Sequence, residues 1–183
     1  MLCTGFLLTS CSENLTTSKA EDIVEEYLKE KPKNGQVAVY AGKINADSYY
    51  LMGGNLEKYK KLAADRYLNM EYKEEERGRW SIDKYYIISL TNKSQDFVLK
   101  IIPDDEKTRY EMRTYTIELD EISDIFIRKE EKTATSKAKF KKKDKTPFFI
   151  FEDDPTDFSV QDVLFYKTED KGWRLMNEKG RTY

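Results

Sequence analysis

The chain has 183 residues, 39% hydrophobic, 36% charged and 13% aromatic, a size and composition for one domain, or one domain plus a tether, with enough rings to build a core. Its 34 acidic and 32 basic residues leave a formal charge of −2, which argues against a dedicated nucleic-acid binder. Histidine is absent, which removes Ser-His and Cys-His nucleophile pairs, histidine general bases and histidine metal ligands together.

The two cysteines, Cys3 and Cys11, both lie in the opening segment, so the body of the chain carries neither a disulfide nor a thiol. Leu2 to Leu8 is a short apolar run, followed by Thr9, Ser10 and Cys11. Small residues before a cut site suit a signal peptidase, whose cleft must admit an extended chain. Leu8-Thr9-Ser10-Cys11 resembles the bacterial lipobox. That resemblance implies cleavage before Cys11 and acylation of its thiol, leaving a membrane-anchored N-terminus. No Lys or Arg precedes Cys11, as a signal peptide would have, so the expectation is a signal peptide over 1–10 with a Lys-rich beginning missing. The competing reading is a soluble cytoplasmic protein with a chance cysteine. Residues 11–19 are polar and read as a tether, with the domain proper over 20–183. Ser12 rather than Asp after Cys11 resembles outer-membrane sorting in Gram-negative lipoproteins, and Ser12-Glu13 is similar to surface signals of Bacteroidetes lipoproteins.

Ala20–Lys31 is a predicted helix capped by Ser18, with Ile23, Val24, Tyr27 and Leu28 on one face. Pro32 and Asn34-Gly35 end it, and a short strand follows over Gln36–Tyr40. A second helix is expected over Asn55–Asn69, then a charged turn or exposed edge over 70–79. Trp80–Leu90 reads as a strand with Trp80, Ile82, Tyr86, Ile88 and Leu90 toward the core. After a turn at Thr91–Ser94, strands are predicted over Phe97–Ile102, Thr108–Leu119, Ile122–Arg128, Ala134–Lys142, Val160–Lys167 and Trp173–Met176. The fold class is α+β: one or two N-terminal helices packed on a meandering antiparallel sheet.

The last hairpin, Tyr166-Lys-Thr-Glu-Asp-Lys-Gly-Trp-Arg-Leu175, resembles the endings of cystatin-like and nuclear-transport-factor-like domains. Thr146-Pro147-Phe148 after an alternating strand is similar to small Bacteroidetes lipoproteins. These resemblances imply a fold and carry over no catalytic residue.

Four groups are candidate sites. Lys137, Lys139, Lys141, Lys142, Lys143 and Lys145 either line a solvated sheet face that resists edge pairing or bind an acidic partner. Glu152, Asp153, Asp154 and Asp157 form an acidic loop without EF-hand spacing, so no metal is expected there. A carboxylate pair as in glycoside hydrolysis is the enzymatic alternative, with no catalytic residue singled out. Among the aromatics Tyr49, Tyr50, Tyr85, Tyr86, Trp80 and Trp173, core packing is the general expectation. Tyr85 stands out because its parity opposes the core face of its strand. The expected function is a lipid-anchored cell-envelope protein with a non-enzymatic binding or assembly role. It would use no cofactor, bind no nucleic acid and have an envelope protein or glycan as partner.

Overall fold

The computed structural model describes residues 14–51, 54–76 and 81–176. Cys11 with its lipobox, and Trp80, lie outside the described residues. The fold is α+β, with an antiparallel sheet of eight strands and few helices. In chain order the elements are α1 (Thr17–Glu30), β1 (Asn34–Asn45), α2 (Asn55–Ala64), β2 (Leu68–Glu76) and β3 (Ile82–Leu90). They continue with β4 (Val98–Pro103), β5 (Lys107–Arg128), β6 (Thr133–Lys143), β7 (Phe158–Thr168) and β8 (Gly172–Leu175). Among the described residues no helix is long and apolar enough to cross a membrane.

Two compact units divide the chain. One comprises Pro32–Ile117 and Lys142–Asp157. Its strands run in the order β2-β3-β1-β5, and β4 also pairs with β5. Its core gathers Val39, Ile44, Leu62, Leu68, Ile88, Met112 and Phe148, all nearly sealed from water. The aromatic side chain of Tyr59 on α2 joins this core and meets Phe151 edge-on at 5.4 Å.

The other unit comprises Met1–Lys31, Glu118–Lys141 and Phe158–Tyr183. Here the second half of β5, then β6, β7 and β8 form the sheet, and α1 packs against β8. Leu15, Ala20, Val24, Ile122, Ala134, Ala138, Phe140, Phe165 and Trp173 are buried.

Several elements differ from their sequence reading for visible reasons. α1 begins at Thr17, capped by the Thr16 hydroxyl, which accepts from the Lys19 amide at 3.3 Å. The first helical turn therefore takes in residues that their polar composition assigns to a tether, and Leu15 just before it is buried. β1 is longer than predicted because it lies between β3 and β5, whose backbones hold it where its apolar alternation lapses. α2 stops at Ala64, not Asn69: Arg66 takes a left-handed φ of 63°, which redirects the chain so that Leu68 opens β2 inside the core. The charged segment after Asn69 is an edge strand as far as Glu76. Ile82 was expected in the core but is 56% exposed, because β1 pairs with β3 only from Tyr85 onward. The two strands predicted over 108–128 are one strand of 22 residues. Asp124, with φ 53°, shifts its parity, burying Ile122 and exposing Phe126.

Candidate functional site

β6 alternates as its sequence demands. Ala134, Ser136, Ala138 and Phe140 are buried, while Thr135, Lys137, Lys139 and Lys141 take the opposite face. The register with β7 sets Lys137 opposite Asp162, Lys139 opposite Val160 and Lys141 opposite Phe158. Phe158, Val160 and Leu164 are exposed on this face, Val160 at 63%. The lysine row is therefore flanked by a largely apolar row that Asp162 interrupts opposite Lys137.

Within the row the three lysines are not equivalent. Lys139 Nζ lies 2.8 Å from the Asp120 carboxylate and 4.4 Å from the centre of the Phe158 ring. The hydrogen bond to Asp120 holds the Lys139 ammonium above its ordinary pKa. Lys141 lies 6.0 Å from the same ring, and among the described residues neither Lys137 nor Lys141 has an ion-pair partner. The face thus offers two uncommitted cations beside an exposed aromatic ring and a valine.

Lys142 does not belong to that row. It falls on the parity of Phe140 and is buried, with the side chain only 3% exposed. Its ammonium donates to the Asp154 carbonyl at 2.8 Å and to Asp154 Oδ2 at 3.1 Å. The Tyr115 and Phe149 rings stand 5.3 and 5.8 Å away. The signal was present in the sequence: Lys142 continues the even-numbered run from Ala134. A basic residue in a lysine-rich tract nevertheless reads as solvated.

The acidic loop is absorbed by this arrangement. The Thr114 hydroxyl donates to Glu152, and Lys145 pairs with Asp157. The Thr156 hydroxyl and amide both donate to Asp154, and with Lys142 they pull its carboxyl down to about 2. A carboxyl held ionised in this way is unsuited to donate a proton as a general acid. Burial, reinforced by the Glu152 and Asp154 charges, pushes the neighbouring Tyr115 phenol up. Among the described residues no three Asp, Glu, His or Cys side chains are gathered to hold a metal.

Tyr85 lies in the unit that does not contain the lysine row. Its hydroxyl reaches Glu75 at 3.4 Å, and Lys43 sits over its ring at 4.2 Å while pairing with Glu75 at 3.6 Å. Its outward ring is thus already held by a cation and a carboxylate. Tyr49 is 85% exposed, whereas Tyr50 packs against Tyr40 with ring centres 4.0 Å apart, and Trp173 is buried. Tyr86 lies against Tyr72 at 5.2 Å.

Compared with known proteins, the chain matches no family model, no curated protein and no solved structure.

Proposed function

We propose that this is a lipid-anchored cell-envelope protein of a Gram-negative bacterium, with a non-enzymatic binding or assembly role at the outer membrane. Acylation at Cys11, read from Leu8-Thr9-Ser10-Cys11, supplies the anchor. A cystatin-like or nuclear-transport-factor-like arrangement of helix and strands belongs to the same reading. The observation that carries the binding role is the β6–β7 face. Lys139 and Lys141 stand in register with exposed Val160 and Phe158, and Lys137 with Asp162. Cations beside apolar surface suit an acidic envelope protein or glycan, with the charges steering encounter and the ring and valine supplying area.

The test is metabolic labelling with a clickable fatty acid in a Gram-negative host, using the gene with its upstream codons, native and Cys11→Ser. Label and membrane association that vanish in Cys11→Ser are expected. Equal, unlabelled and soluble protein from both genes would overturn the reading.

A further inference from the structure

A second cationic feature lies in the unit formed by Met1–Lys31, Glu118–Lys141 and Phe158–Tyr183, separate from the Lys137–Lys141 row. It is a cleft of about 460 Å³ between the β5–β6 turn and the β7–β8 turn, within the size range of small-molecule sites. Ile127 and the buried Trp173 contribute its apolar lining. Lys129, Lys132 and Lys167 converge on it, and among the described residues Glu169 is the one acid of its lining.

The backbone ties these lysines together. The Lys167 amide donates to the Lys132 carbonyl at 2.7 Å, and the Lys132 amide donates to the Lys129 carbonyl at 3.2 Å. Lys132 holds a left-handed φ of 52° at the end of the turn. Lys129 makes no ion pair among the described residues. Lys132 pairs with Glu169 at 3.1 Å, but the Glu169 side chain is 91% exposed, so water competes for it and an arriving anion displaces it at little cost. Among its described lining residues the cleft thus sets three lysines against one carboxylate.

Its position relative to Cys11 bears on which anion it takes. Asn14 lines the cleft, and Cys11 precedes Asn14 by three residues. Three residues span at most about 10 Å. An acyl chain on Cys11 would thus hold the Asn14 edge of the cleft within about one Debye length of a bilayer surface. We infer that the Lys129–Lys132–Lys167 cleft binds the phosphoryl headgroup of an anionic phospholipid beside the anchor, fixing this unit against the membrane. The choice of partner rests on the lipid-anchor reading. Each lysine near an anionic surface strengthens binding about five-fold, so one acyl anchor and this cleft act as joint signals.

The test uses full-length, unacylated Cys11→Ser protein, in co-sedimentation with vesicles of phosphatidylcholine alone and of phosphatidylcholine mixed with phosphatidylglycerol. Binding to the mixed vesicles only is expected, falling with added salt. Removing Lys129, Lys132 and Lys167 together as glutamines should weaken it about five-fold per lysine. The triple arginine variant should retain it, which separates loss of charge from loss of fold. Equal sedimentation with both vesicle types would overturn the inference, as would binding lost from Lys137→Gln/Lys141→Gln but not from the cleft variant. Protection of the cleft by inorganic phosphate without vesicle recruitment would overturn the lipid assignment. The fatty-acid experiment reports separately: labelled Cys11 with no vesicle binding removes the cleft alone, and vesicle binding with unlabelled Cys11 removes the anchor alone.

Discussion

Lys142 is buried on the core-facing side of β6 and clasps Asp154 twice, at its carbonyl and at its carboxylate. This clasp joins the end of β6 to the loop before β7. A charged hydrogen bond of this kind contributes more than a neutral one, and leaving its buried half unmade costs more again. Lys142→Ala should therefore lower stability by on the order of 2 kcal/mol. Lys142→Met keeps the apolar stem and should lose about half of that. Lys143→Ala, one residue on and exposed, should change stability by less than about 0.5 kcal/mol. Urea midpoints of the three variants check this. Equal midpoints for Lys142→Ala and Lys143→Ala would show that the clasp contributes nothing.

The same clasp has a pH signature. The Thr156 hydroxyl and amide, then Lys142, depress the Asp154 carboxyl from 3.8 to about 2. A depressed carboxylate adds stability above its unfolded pKa and loses it as pH falls through its folded one. Wild type and Asp154→Asn should thus differ by a constant amount above about pH 4. The difference should shrink between about pH 4 and pH 2 and vanish below. An unchanging gap across that window in acid unfolding curves would refute the assignment.

Lys142 also marks where sequence reading reaches its limit. Alternation along β6 was legible because one side of the strand carries small or apolar residues and the other Lys and Thr. The same rule, extended by one step, buries a lysine, and composition alone overrode it. The helix α1 and the strands over 82–103 were legible from period and turn residues. The extra length of β1 was not, because neighbours β3 and β5 impose it. The joining of two predicted strands into β5 was hidden too, because the charged pair Asp120-Glu121 between them reads as a break although the strand runs through it. The cleft of Lys129, Lys132 and Lys167 is made by two turns far apart in sequence, so no local pattern announces it.

Tyr59 caps a gap in the sheet. Its hydroxyl accepts from the Tyr40 amide at 2.7 Å and donates to the Tyr40 carbonyl at 3.2 Å. β3 pairs with β1 only over Gly42–Asn45, so at Tyr40 the phenol of α2 stands in for the missing strand. Tyr59→Phe strands both groups and should cost about 2 kcal/mol. Burial also pushes the Tyr59 phenol well above its ordinary value. Above about pH 10 the unfolded chain then releases a proton that the folded chain keeps, so stability falls as pH rises. Comparing alkaline unfolding of wild type and Tyr59→Phe checks both effects. A stability deficit that stays constant up to pH 12 would contradict the buried phenol.

Gly42 and Gly54 both hold positive φ, at 107° and 85°, yet their surroundings differ. A Cβ on Gly42 would lie 2.4 Å from the Glu106 carbonyl oxygen and 2.9 Å from the Lys107 Cα, both backbone atoms. The Glu106 carbonyl cannot swing aside freely, because it accepts the Lys43 amide at 3.0 Å. Strain and clash therefore add at Gly42, whereas Gly54 has nothing within 4 Å of the added carbon. Gly42→Ala should cost about 3 kcal/mol or more, and Gly54→Ala about 1 kcal/mol, the conformational part alone. Thermal or urea unfolding of the two variants decides it. Similar losses at both positions would mean that conformation, and not the close approach of β1 to the β4–β5 turn, sets the need for glycine.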